Sequence, residues 1–169
     1  GIGKVLTVQL QFAVPPRDLD YSATSLKPWR LQPDISGGGY FYDLAPHQLD
    51  LLQELFGTII RAHGYPTNRE HLYQAEDTIS AAFIFDSGIS GSASWCFVGH
   101  ESSKTDCITV IGDKGILSFS VYNYDPIQLV NNSGARSIIV PNPPYVQLPI
   151  ITSVIHHLQG IDTCTATSV

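Results

Sequence analysis

From residue 78 to residue 140 the sequence alternates apolar and polar positions and is broken at short intervals by turn residues, and this pattern most limits what the chain can fold into. Residues 78–85 and 89–97 are joined by Asp86, Ser87 and Gly88. A polar stretch leads into 107–111, which Gly112, Asp113, Lys114 and Gly115 turn into 116–121. Asn131 to Gly134 turns 127–130 into 136–140. Hairpins of this kind pair their strands antiparallel. Upstream, residues 3–12 also alternate, with Leu6, Val8, Leu10 and Phe12 on one side, and predict the opening strand.

Two segments break the period of two. Leu49, Leu52 and Phe56 recur at helical spacing, widened by Leu44, Leu51 and Leu55, and Gly57 supplies a left-handed stop. A second, shorter helix is expected over 150–158, ending at Gly160. Residues 13–36 carry four prolines and no period, so they read as a long loop. The expectation is an α+β fold: an open, predominantly antiparallel sheet of about six to eight strands with helices covering one face. The second face mixes Ala, Ser, Gly and some apolar groups, which suits contact with another copy and predicts a homo-oligomer.

Composition narrows the partners. With 169 residues, 43% apolar and 14% charged, the chain is long enough for one domain with a sizeable core. A net charge of -6 and the lack of a basic stripe argue against nucleic acid or an anionic membrane surface. The apolar runs are far too short to span a bilayer. Three cysteines, Cys96, Cys107 and Cys164, show no C-x-x-C spacing, so neither a disulfide framework nor a metal site is expected, and the reading is a cytoplasmic, reducing compartment. The chain contains no Met, so it is expected to be an excised piece of a longer protein.

The sharpest chemical pair is Asp43 and His47, four residues apart at the start of the main helix and therefore on one face of it. Asp43 also reads as a helix N-cap, with Pro46 in the first turn. Gly37, Gly38 and Gly39 just before them imply positive φ or a backbone that something approaches closely, and a ligand or cofactor is the expected visitor. An imidazole near neutrality can take a hydroxyl proton while a carboxylate orients it or binds a second hydroxyl. His156 and His157 are adjacent, so they diverge on a helix and make a poor metal pair. Tyr122 and Tyr124 are read either as lining a sugar pocket or as pairing across strands.

Trp29-Arg30, Ser36-Gly37-Gly38-Gly39, Asp43, His47, Leu49-Asp50 and Leu55-Phe56-Gly57 together resemble the W-R, G-G-G, D-x-x-x-H-x-(I/L)-D, L-F-G signature of the glucose-fructose oxidoreductase/inositol dehydrogenase (Gfo/Idh/MocA) family, in its C-terminal domain. Phe85 to Gly88 and Ile111 to Leu117 are similar to that domain's hairpins. The resemblance implies a dihydrodipicolinate-reductase-like C-terminal domain over residues 1–169 that binds substrate and mediates oligomers. It also implies a parent enzyme that moves hydride between NAD or NADP and a sugar, cyclitol or polyol. The chain has no G-x-G-x-x-G fingerprint after a strand and no E-K-P motif, so the N-terminal Rossmann domain that holds the dinucleotide is absent and this piece alone is expected to be inactive. The roles implied are His47 as general acid/base and Asp43 as its partner and substrate acceptor. Trp29 and Arg30 become candidate cofactor contacts and Lys27 a candidate substrate contact. Two other readings remain open: a NAD-dependent glycosidase of the same family, and a non-catalytic binding module.

Overall fold

The computed structural model describes residues 1–21 and 28–164. Eight strands form one sheet: β1 Val5–Ala13, β2 Ile59–Thr67, β3 Thr78–Phe85, β4 Ser90–Cys96, β5 Thr105–Gly112, β6 Gly115–Phe119, β7 Ile127–Asn131 and β8 Gly134–Ile138. Their order is β2-β3-β4-β1-β5-β6-β7-β8. The first strand in sequence thus lies inside the sheet, parallel to β4 and antiparallel to β5. Every other pairing is antiparallel. The α+β open sheet expected from the alternation is the fold found.

The two faces of the sheet differ in chemistry. Val8, Leu10 and Phe12 of β1, Phe83 of β3, Trp95 of β4 and Ile108 of β5 are buried on one face. Between them, in register, Gln9 sits opposite Ser92 and Thr109, and Gln11 opposite Ser94 and Cys107. That second face is a flat row of small, uncharged, polar side chains. Leu6, expected inward, is 50% exposed because the register of β1 slips between Val5 and Thr7, and such a bulge reverses the alternation locally.

The main helix, α2 (Tyr40–Phe56), covers the apolar face; a four-residue turn of helix, α1 (Pro33–Ser36), precedes it. Ala45, Gln48 and Leu52 face inward and are fully buried. The Trp95 indole N–H donates to Gln48 Oε1 at 2.7 Å, which satisfies a donor that the core would otherwise strand. Phe41 meets Trp95 edge to face, 5.0 Å between ring centroids. Two buried carboxylates hold connections. Asp77 accepts the backbone N–H groups of Arg69 and Glu70, both at 2.8 Å, and folds the β2–β3 loop. Asp106 accepts those of Val121, Tyr122 and Asn123.

The chain divides into two compact units, Gly1–Ile138 and Ile139–Val169. The second contains α3, Leu148–Leu158, which starts two residues earlier than the spacing predicts because Pro149 is accepted in its first turn. Gly160, at φ 69°, follows it in the left-handed region. Among the described residues no helix is long and apolar enough to cross a membrane, and no cluster of three or more metal-ligating side chains occurs. Cys96 and Cys107 are free thiols.

Candidate active site

Asp43 and His47 stand one turn apart on α2, on the side away from Ala45, Gln48 and Leu52. His47 is exposed and Asp43 half-buried. Asp43 is not the N-cap: Gly39 is, so Asp43 falls at the end of the first turn, where its charge still favours the helix dipole. Pro46 accordingly lies inside the helix, beyond the first turn, and leaves the Tyr42 carbonyl without its usual donor four residues on.

The three glycines serve the chain's own packing. Gly37 is at φ 80° and ends α1. A Cβ on Gly38 would lie 2.2 Å from the Tyr42 ring. One on Gly39 would lie 2.7 Å from the Ala75 Cβ and 3.1 Å from the Glu76 carbonyl oxygen. The close approach at Gly39 is made by the β2–β3 loop, and that at Gly38 by Tyr42. Glu76 Oε1 also accepts the Gly39 N–H at 3.3 Å and caps the helix from outside. That carboxylate occupies the helix start, where an anion would otherwise be drawn.

Trp29 and Arg30 lie on a 3-10 turn, Trp29–Leu31, that Leu31 anchors in the core. The Arg30 guanidinium stacks on the Trp29 ring, 4.6 Å from its centroid, and its Nε meets Asp43 Oδ2 at 2.7 Å. Ser36 fastens the turn, its hydroxyl lying within hydrogen-bond distance of the carbonyls of Arg30, Gln32 and Gly38. Trp29, Arg30, Ser36, Gly39, Tyr42 and Asp43 enclose a small cavity of about 90 Å³. Both partners of the ion pair are partly exposed, so it contributes under about 1 kcal/mol to stability, and its effect is to fix the carboxylate. Lys27 lies outside the described residues.

Tyr122 does not pair across strands, since it lies in the connection between β6 and β7. Its hydroxyl donates to the Leu44 carbonyl at 2.6 Å and pins α2 between Asp43 and His47 to the β6–β7 connection. Burial first, then the charges of Asp106 and Asp43, pushes its pKa up to about 12, so it acts as a neutral donor. The helix start is secured in the same way. The Tyr40 hydroxyl donates to buried Asp20 at 2.7 Å, and burial followed by that carboxylate raises its pKa. Tyr42 and Glu76 are site residues that the sequence reading passed over. Only the position of Tyr42, next to Asp43, pointed to it. His156 and His157 lie exposed on α3, in the other unit, and Asp50 is exposed one turn past His47.

A half-buried acid and an exposed imidazole on one helix, backed by an open, mostly antiparallel sheet, define the class as an α+β domain with one chemically equipped side. Comparison with known proteins gives the family. The model of the GFO/IDH/MocA C-terminal domain matches residues 1–118. Oxidoreductase P35 of Formosa agariphila is 35% identical over 150 residues, covering 89% of this chain and 45% of that protein. Among solved structures, aldose-aldose oxidoreductase from Caulobacter crescentus complexed with glycerol superposes with a TM-score of 0.77 at 18% identity, over 98% of this chain and 48% of that one. The WlbA dehydrogenase from Bordetella pertussis in complex with NADH and UDP-GlcNAcA gives 0.71 at 22% identity, over 98% and 48%. At these identities the structural likeness speaks for the fold alone. The chain belongs to the Gfo/Idh/MocA family, as its C-terminal domain, and spans about half the length of the curated relative it matches.

Proposed function

We propose that this chain is the substrate-facing domain of an NAD(P)-dependent oxidoreductase acting on a sugar, cyclitol or polyol. The observation that carries the reading is the placement of Asp43 and His47 on the exposed side of α2, with Asp43 fixed by Arg30. His47, in the open, accepts the hydroxyl proton of the carbon being oxidised. Asp43 accepts a hydrogen bond from a neighbouring hydroxyl and keeps the alcohol aligned with the imidazole. Bound nicotinamide supplies the hydride acceptor. Trp29, 53% exposed, offers it a flat face, while its phosphates belong to a Rossmann domain outside this chain. Family membership, a relative named oxidoreductase, and structural neighbours solved with NADH and UDP-GlcNAcA or with glycerol support the same reading.

The test is an assay of the full-length protein with NAD or NADP and a panel of aldoses, cyclitols and polyols, following nicotinamide absorbance. Reduction with at least one substrate is expected, falling by about 10²–10⁴-fold in His47→Ala with the thermal midpoint retained. Unchanged turnover in that variant refutes the assignment. The open sheet face is the proposed contact between copies. Ser92→Arg places a charge in its middle, and sedimentation is expected to show smaller particles than the unsubstituted protein gives.

A further inference from the structure

On the other flank of α2 lies a larger cavity, about 360 Å³, between the helix and the edge of the sheet at β2 and β3. Its walls are mainly apolar: Phe41 and Tyr42 from α2, Phe83 from β3 and Trp95 from β4, with His63 and Glu76 as titratable groups. The core side of β2 leaves room because it carries small residues there. Gly64 lies opposite Ala81 and Ala62 opposite Phe83, and a Cβ added at Gly64 would be 3.5 Å from the Ala81 Cβ, an ordinary contact. Tyr42 is shared, since its ring borders both this cavity and the one holding Asp43. Gly39 of the small cavity is hydrogen-bonded to Glu76 of the large one. A ligand at Asp43 therefore meets, one side chain away, a recess of ring size floored by aromatic faces.

We propose that this recess is a subsite for an aromatic ring carried by the substrate, so that the preferred substrates are glycosides with an aryl aglycone rather than free sugars. The sugar part of this proposal rests on the function proposed above; the ring site rests on the cavity alone. A free hexose would set hydroxyls against Leu49, Ile79 and Phe83, which cannot hydrogen-bond. A phenyl ring matches the apolar wall and the edge-to-face geometry already used between Phe41 and Trp95. His63 and Glu76 then accept or donate to a ring hydroxyl at the mouth.

The test compares phenol, phenyl β-D-glucopyranoside and methyl β-D-glucopyranoside binding to the full-length protein, read from the indole N–H resonances of Trp95 and Trp29. Phenol and the phenyl glucoside are expected to shift Trp95, and both to bind at least tenfold more weakly in Gly64→Val. Methyl glucoside affinity is expected to stay unchanged. Valine suits a strand at this position, and Ala62→Trp closes the mouth of the same recess from an exposed site, so a folded variant is in hand either way. If phenol ignores both substitutions in proteins that keep their thermal midpoint, the ring site is overturned. If phenol binding is lost in both variants while no sugar or glycoside is oxidised, the ring site stands and the oxidoreductase reading falls.

Discussion

The inner and outer sides of α2 obey different rules. Inward, Ala45, Gln48 and Leu52 have no exposure worth measuring, and their partners, Trp95 above all, are chosen by volume and by the need to satisfy an indole N–H. Outward, Asp43 and His47 contribute little to holding the fold, and their neighbours Arg30, Ser36 and Tyr122 serve to hold the helix and its acid in one pose. A single helix thus keeps its packing and its proposed chemistry on separate sides. Stability and turnover are expected to respond to different substitutions.

The strongest challenge to that separation is Trp95→Ala, which empties a buried volume under α2 and leaves Gln48 without its partner. A loss of about 3–5 kcal/mol in denaturant unfolding is expected. Asp43→Asn is the converse: about 10²-fold lower turnover is expected in the full-length protein under the proposed function, with an unfolding midpoint close to that of the original. Equal falls in both quantities would dissolve the distinction. Gly39→Ala sits at the boundary, because the new methyl meets Ala75 and the Glu76 backbone. About 1–3 kcal/mol of destabilisation is expected, read by thermal unfolding, together with a displaced helix start. The smallest effect is alkaline. Tyr40, Tyr73 and Tyr122 have pKa values raised above 10.0, first by burial. Their contribution is complete below about pH 10, where they are neutral in both folded and unfolded chains. It is lost as the pH rises from there, because only the unfolded chain then ionises readily. Unfolding midpoints measured from pH 8 to 11 are expected to decline only at the upper end, and less steeply in Tyr122→Phe.

Local rules made much of this legible. The alternation in 78–85 placed β3 at both ends, and the Leu49, Leu52, Phe56 spacing with Gly57 placed the end of α2. Strand β2 escaped because Gly64 and Pro66 interrupt it and its residues are exposed throughout but one, so no alternation marks it. Proline is tolerated there as on other edge strands. The position of β1 between β4 and β5 was illegible for another reason: parallel pairing leaves no turn in the sequence to announce it. At the site, Asp43 and His47 were visible as spacing. The Arg30 ion pair and the part played by Glu76 were not, since both depend on loops that fold back on the helix. The triple glycine was visible, but not its partners in the chain, because close approach by the chain itself leaves the same mark as close approach by a ligand.

The central seat of β1 sets a timetable for synthesis. Of the eight strands β1 is made first, and it cannot be flanked on both edges until β5, which ends at Gly112, has followed it out, so its hydrogen-bonding groups stay unmatched while the strands between are still being made. A nascent chain stalled before that point should be caught by chaperones and cut by proteases, and one stalled after it should resist both.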